Sequence, residues 1–235
     1  MKTISLAETP VRELNRQLQE QAAHFREPDW RITDPGGRHA LAVGLDAPLN
    51  VTIDGHVGYY CAGMNQQAHV TINGMAGVGV AENMMSGSVR VRGNASQSAG
   101  ATAHGGLLVV EGDASARCGI AMKGVDIVVG GSVGHLSAFM GQAGRLVVCG
   151  DAGEALGDSL YEVDIYVRGS VRSLGADCEE KSMGPEHRAA LAELLEAAGM
   201  DHDPAGFRRY GSARALYNFR VDNAFAGYGE EEIES

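Results

Sequence analysis

A glycine recurs every nineteen residues through the middle of this chain, at Gly55, Gly74, Gly93, Gly112, Gly131, Gly150 and Gly169, with no insertion between copies. Such a period means that each copy is one unit that buries its apolar surface only by stacking on its neighbours. Four residues before the glycines stand Val51, Val70, Val89, Leu108, Ile127, Leu146 and Ile165, and two before them Ile53, Ile72, Val91, Val110, Val129, Val148 and Val167. That alternation is a short strand with one buried face. Two residues after each glycine comes a further small apolar residue, from Val57 and Ala76 through to Val171. Nineteen residues are too few for a helical repeat. The pattern predicts an all-β fold, a single-stranded right-handed parallel β-helix of about seven coils, in which each glycine is expected to turn the backbone at positive φ.

The coils occupy residues 51–175. Residues 1–50 are read as an N-terminal helix and lead-in, and 176–235 as a C-terminal helix, a docking segment and an acidic tail. Thr9-Pro10 opens a helix carrying Val11, Leu14 and Leu18, and Pro185 opens a second with Leu191, Leu194, Leu195 and Ala198 on one face, closed by Gly199. These flanks are available to cover the two ends of the rod, which are otherwise open sheet edges. Residues 28–50 have room for one irregular coil whose register the sequence does not reveal. A basic-aromatic stretch covers 207–228, followed by the acidic run Glu230 to Glu234, expected to be mobile.

With 19 Lys and Arg against 30 Asp and Glu, the net charge is −11, which argues against nucleic acid or an anionic membrane as partner. Aromatic residues are only 6 % of the chain, too few for a carbohydrate groove or a stacking platform. No apolar run approaches the ~18 residues of a membrane span, and the opening Met-Lys-Thr-Ile-Ser lacks the apolar stretch of a signal peptide. Cys61, Cys118, Cys149 and Cys178 show no CxxC spacing and are expected to be reduced thiols in a cytoplasmic protein.

In a stacked solenoid, equivalent positions form ladders, so chemistry can be sought position by position. Asp126, Arg145 and Asp164 stand one residue before successive strands, where Arg145 is expected between two carboxylates. The alternatives are a carboxylate pair for acid–base work and a surface ladder that fixes register. His56, His69, His104 and His135 fall in four different positions, so no two stack and no metal site is supported. Cys61 and Cys118 share a position three coils apart, beyond disulfide reach. Asn94-Ala95-Ser96 matches a glycosylation acceptor by accident, and Gly77-Val78-Gly79 lacks the third glycine of a dinucleotide fingerprint. Met64, Met84, Met85, Met122 and Met140 fall in neighbouring positions and suit either an irregular interior or an adaptable contact surface. No catalytic, cofactor-binding or metal residue is assigned.

One ladder suggests a partner. The outward residue of each strand is polar at Thr52, Thr71 and Arg90, then apolar at Val109, Val128, Val147 and Tyr166. An apolar stripe four coils long needs a cover. The cover is either the 185–199 helix or the 207–228 segment of the same chain, or a second subunit, which would make these four residues a partner interface.

The glycine-punctuated strands, as in Val89-Arg-Val-Arg-Gly93 and Leu108-Val-Val-Glu-Gly112, resemble the GXGXG family, the C-terminal β-helix domain of the glutamate synthase large subunit. That family includes the C subunits of formylmethanofuran dehydrogenase and of the formyltransferase/hydrolase complex. Tyr210-Gly-Ser-Ala-Arg-Ala-Leu-Tyr217-Asn-Phe-Arg-Val-Asp-Asn223 resembles the C-terminal segment of its stand-alone, GlxC-like members, among them the β-helix subunit of N-methylglutamate synthase. The resemblance implies a non-catalytic structural subunit beside two partners, an amidotransferase-like chain of the glutaminase type and a glutamate-synthase-like chain holding FMN and an iron–sulfur cluster. It implies formation of N-methylglutamate from methylamine and glutamate. The rivals are a formyl-handling complex and a β-helix polysaccharide-acting enzyme; the latter would need stacked acidic or basic residues in an outer cleft.

Overall fold

The structure, a computed structural model, describes residues 1–213. The β-branched segments form strands β1 (Lys2–Ser5), β2 (Asp29–Thr33), β3 (Asn50–Ile53), β4 (His69–Ile72), β5 (Ser88–Val91), β6 (Leu107–Val110), β7 (Lys123–Val129), β8 (Ala143–Val148) and β9 (Glu162–Val167). Each pairs in parallel with the next, and from β3 onward the offset is the repeat itself, as in Val51↔Val70 and Ile127↔Leu146. A second ladder of parallel bridges joins Val57, Ala76, Ala95, Ala114, Val133, Ala152 and Val171. The chain is thus a β-solenoid, and both apolar positions of every strand point into one continuous core. Strand β2 pairs Trp30 with Val51, which makes residues 28–50 the irregular coil and gives it its register.

The two ends are closed differently. Helix α1 (Val11–Gln19), between β1 and β2, buries Leu14 and Leu18 in the solenoid core. Its Asn15 and Gln19 side-chain amides donate to the Ala40 and Val43 carbonyls, at 2.7 and 2.8 Å, tying the helix to the irregular coil. At the far end β11 (Arg208–Ser212) runs antiparallel between β9 and β10 (Cys178–Lys181). A reversed strand pair therefore covers this end. Helix α2 (Pro185–Ala198), one of the flanks available as an end cover, lies instead along the side of the rod.

The repeat glycines serve a purpose other than the expected one. Of the seven, Gly55 alone has a positive φ. The others are required because the coils approach too closely for a side chain. A Cβ at Gly74 would lie 2.5 Å from the carbonyl carbon and oxygen of Gly55, and one at Gly112 would overlap Asn94 Oδ1. That oxygen belongs to a chain of bonds between coils. Asn94 Oδ1 accepts from the Asp113 N–H at 2.9 Å, Asp113 Oδ1 from Ser132 at 2.7 Å, Ser132 Oγ from Asp151 at 3.0 Å, and Asp151 Oδ1 from Ser170 at 2.7 Å. The supposed glycosylation asparagine is thus one rung of a structural ladder.

Positive φ is concentrated elsewhere, in three rows on the corner opposite the strands. One row is Tyr60, Gly79, Ser98, Arg117, Leu136 and Ala155; the next is Ala62, Ala81, Gly100, Gly119, Ala138 and Gly157; the third is Met64, Asn83, Thr102, Ala121, Met140 and Ser159. Every second residue is left-handed, so alternate peptides point up and down the rod. The Tyr60 N–H donates forward to Val78, Ala62 back to Leu41, and Met64 forward to Glu82, all at 2.8–2.9 Å. Most of these residues are not glycine, and the left-handed backbone costs each of them on the order of 1 kcal/mol. The hydrogen bonds between coils hold it in place.

Candidate functional site

The stripe is covered by the chain's own helix. Val109, Val128, Val147 and Tyr166 are at most 2 % exposed, packed with Leu191, Leu194, Leu195, Ala198 and Phe207 in a second apolar cluster. The reading of these four residues as a partner interface gives way to this intramolecular cover. The fit is one of length: fourteen helical residues span about 21 Å, and the coils from Tyr166 to Arg90 span about 19 Å. Pro185 begins the helix, and Gly199, at φ 68°, ends it. Beyond the last stripe residue, Arg90 donates to the Ala198 carbonyl at 3.0 Å while pairing with Glu111, so a cation sits on the negative end of the helix. Sequence reasoning placed Arg90 in the polar part of the ladder but not at this cap.

The charged ladder is in register but not shared as expected. Arg145 makes a two-pronged pair with Asp126, Nε to Oδ1 at 2.7 Å and a terminal nitrogen to Oδ2 at 2.6 Å. Asp164 is taken instead by Arg209 of β11, at 2.7 Å, which also reaches the Ser182 carbonyl. Bonding to Asp126 holds the Arg145 guanidinium above its ordinary pKa, with Glu193 of α2 contributing. Beside this pair lies a cleft of about 360 Å³ between α2 and the sheet, floored by Gly87, Gly106 and Gly124. Its lining holds no serine, cysteine, lysine or histidine, and of its two carboxylates Asp126 is paired with Arg145. The arrangement anchors a helix and fixes register. It holds no base beside a nucleophile.

The remaining candidates are structural. All four cysteines are buried free thiols, and burial pushes Cys61 and Cys118 up to about 12 and Cys149 and Cys178 up to about 11. His56 Nδ1 accepts the Met75 N–H at 3.0 Å, and the His69 Nδ1 contacts Ser88 Oγ at 2.8 Å. Among the described residues no group of three His, Cys, Asp or Glu is placed to hold a metal ion. The methionines divide: Met84 and Met122 fill the core, while Met64, Met85 and Met140 are exposed. Most of the 207–228 segment, and with it most of the Tyr210–Asn223 motif and the acidic run, lies outside the described residues; Phe207 packs against α2 and Tyr210 lies in β11. No described helix is long and apolar enough to cross a membrane.

The chain is 60 % identical over 227 residues to Protein GlxC of Rhizobium meliloti (strain 1021), a match that spans 96 % of this chain and all of that protein. No protein-family model matches the chain, and no solved structure matches it.

Proposed function

The chain belongs to the GlxC family, and we propose that it is the non-catalytic solenoid subunit of a glutamate-synthase-related, FMN-dependent multi-chain enzyme. One observation carries this reading. The coils are hydrogen-bonded one to the next along the rod, while its thiols are buried and its ladder of charges is consumed in pairs between coils and with β11. Such a body offers a fixed separation between whatever binds along it. Seven coils at about 4.8 Å give roughly 30 Å of spacing. That suits an enzyme in which an amine released at one active site must reach another without escaping to solvent.

The resemblance of the C-terminal segment to that of the N-methylglutamate synthase β-helix subunit supports the finer assignment. In that reaction methylamine and L-glutamate give N-methyl-L-glutamate and ammonia. The partners are then an amidotransferase-like chain and a glutamate-synthase-like chain. FMN and the iron–sulfur cluster are assigned to the latter by the resemblance. The test is a mild affinity purification from the native source, with partner masses and a visible absorbance scan. Co-purified amidotransferase-like and flavin-bearing chains are the expected result. A molybdenum or tungsten enzyme in their place would move the chain to the formyl-handling complexes, and a colourless chain alone would contradict the assembly.

A further inference from the structure

In the second ladder, each coil is bonded to the next through residues that both give and take. The Ala152 N–H donates to the Ser170 carbonyl at 2.8 Å, and its carbonyl accepts from Arg172 at 3.0 Å. The Leu156 N–H donates to Ser173 at 3.1 Å, and its carbonyl accepts from Gly175 at 2.8 Å. In the last coil the corresponding residues are Val171 and Leu174, the bridge partners of Ala152 and Leu156. No coil follows them. Their N–H and C=O groups therefore face the open end of the rod, with no partner among the described residues. Val171 is only partly buried against the core, and Leu174 is 37 % exposed. An unpaired sheet edge with apolar side chains on it is a template for another segment of chain.

Everywhere else the chain closes such edges itself. At the N-terminal end Asn15 and Gln19 cap the Ala40 and Val43 carbonyls, and Arg38 donates to those of Asp34 and Pro35 at 2.8 and 3.3 Å. At the far end β11 pairs with β9, and Arg208 donates to the Gly169 carbonyl at 2.9 Å. One coil earlier, the Gly150 carbonyl takes the N–H of the next repeat glycine, Gly169, at 2.9 Å, so Arg208 stands in for a missing coil. Strands β11 and β10 lie two strand spacings, about 10 Å, beyond β9. The end of the rod is thus a step, and Val171 and Leu174 form its lower level.

Strand β11 delivers the chain to that level. The Ala213 N–H donates to the Asp177 carbonyl at 2.7 Å, three residues from Leu174. Residues 214–235 follow, enough to span about 70 Å when extended, and the first six suffice to reach Val171. Counted back from that bond residue for residue, Leu174 and Val171 fall opposite Leu216 and Phe219, both apolar. We infer that residues 214–219 lie along this edge, antiparallel to the last coil as β11 is to β9, bonding the backbone of Val171 and Leu174 and covering their side chains with Leu216 and Phe219. Addition of an extended segment to an open edge takes its affinity from main-chain hydrogen bonds and its register from the side chains. The C-terminal segment is then the last piece of the end cap, and it closes the step against the end of a second rod. No partner chain is needed for it.

The test follows amide hydrogen exchange at Val171 and Leu174 by NMR in three proteins: the full chain, a chain ending at Ala213, and the full chain carrying Leu216→Asp and Phe219→Asp together. Both amides should be protected in the full chain and should exchange at least tenfold faster in each variant, while those of Ala76 and Ala95 in the inner coils keep their rates. The double substitution leaves chain length and β11 unaltered, so it reports on the edge even if the shortened chain does not fold. Exchange of Val171 and Leu174 at the unprotected rate in the full chain overturns the inference. Protection that survives both variants overturns it as well, and a dimer by light scattering would then give the edge to a second copy.

Discussion

Replacing Leu191 with alanine should loosen α2 without unfolding the coils. Leu191 is fully buried between the helix and the apolar stripe of Val128 and Val147. Truncating a buried leucine costs about 2–5 kcal/mol, the higher values where the surroundings cannot close the gap. A helix lying on the side of a rod can settle inward, so about 2–3 kcal/mol is the appropriate range. That energy belongs to the opening of α2, because the coils are held by their own ladders and core. At about 1.4 kcal/mol per tenfold, amides of residues 188–198 should exchange with deuterium roughly 30- to 150-fold faster. Amides of β3 to β8 should keep their wild-type rates. Hydrogen exchange read by mass spectrometry on peptides from both regions measures the contrast. Equal acceleration in helix and coils would show that α2 is integral to the solenoid, and no acceleration in the helix would show that the stripe is not what holds it.

Three further outcomes follow from the ladders. Gly112→Ala should destabilise the chain by about 1–3 kcal/mol in urea unfolding, since the added Cβ overlaps Asn94 Oδ1; a wild-type midpoint would mean that the coils are not so closely stacked. Bonds from the Ser170 N–H and hydroxyl hold the Asp151 carboxyl below its ordinary 3.8, so the stability it contributes is present above that range and is lost as pH falls through the depressed value. Asp151→Asn should therefore show a shallower loss of stability between about pH 4 and pH 2 than the unaltered chain, and identical acid profiles would remove Asp151 from the ladder's energetics. A double-mutant cycle between Arg145 and Asp126 should give a coupling of about 1 kcal/mol, and one between Arg145 and Asp164 less than about 0.3 kcal/mol. Equal couplings would restore the shared ladder and displace Arg209 from Asp164.

Much of the fold was legible because the period is strict. Strand positions, coil length and the inward-facing residues all follow from alternation around a glycine at fixed spacing. The stripe and the helix that covers it were also both legible, as Val109 to Tyr166 and as Leu191 to Ala198. Their union was not, because an apolar ladder says that it needs a cover without saying whose. Length was the available signal: the fourteen-residue helix measures about 21 Å, and the coils from Arg90 to Tyr166 about 19 Å. The glycines misled because the residue has two uses, and sequence alone does not separate freedom of φ from closeness of approach. The left-handed rows were hidden for the opposite reason. Arg117, Leu136 and Met140 are residue types that avoid that conformation, and only the hydrogen bonds of stacked coils impose it on them. Arg209 escaped notice because β11 reverses direction and brings a residue from outside the repeat to Asp164.

The most direct test of the proposed scaffold role is an omission experiment. The amidotransferase-like and flavin-bearing chains, purified separately, would be assayed for N-methylglutamate from methylamine and glutamate with and without this chain. The expected result is that product forms at a substantial rate only when all three chains are present, and that this chain alone forms none. Full activity from the two partner chains without it, or product from this chain by itself, would contradict a non-catalytic subunit that holds the others in place.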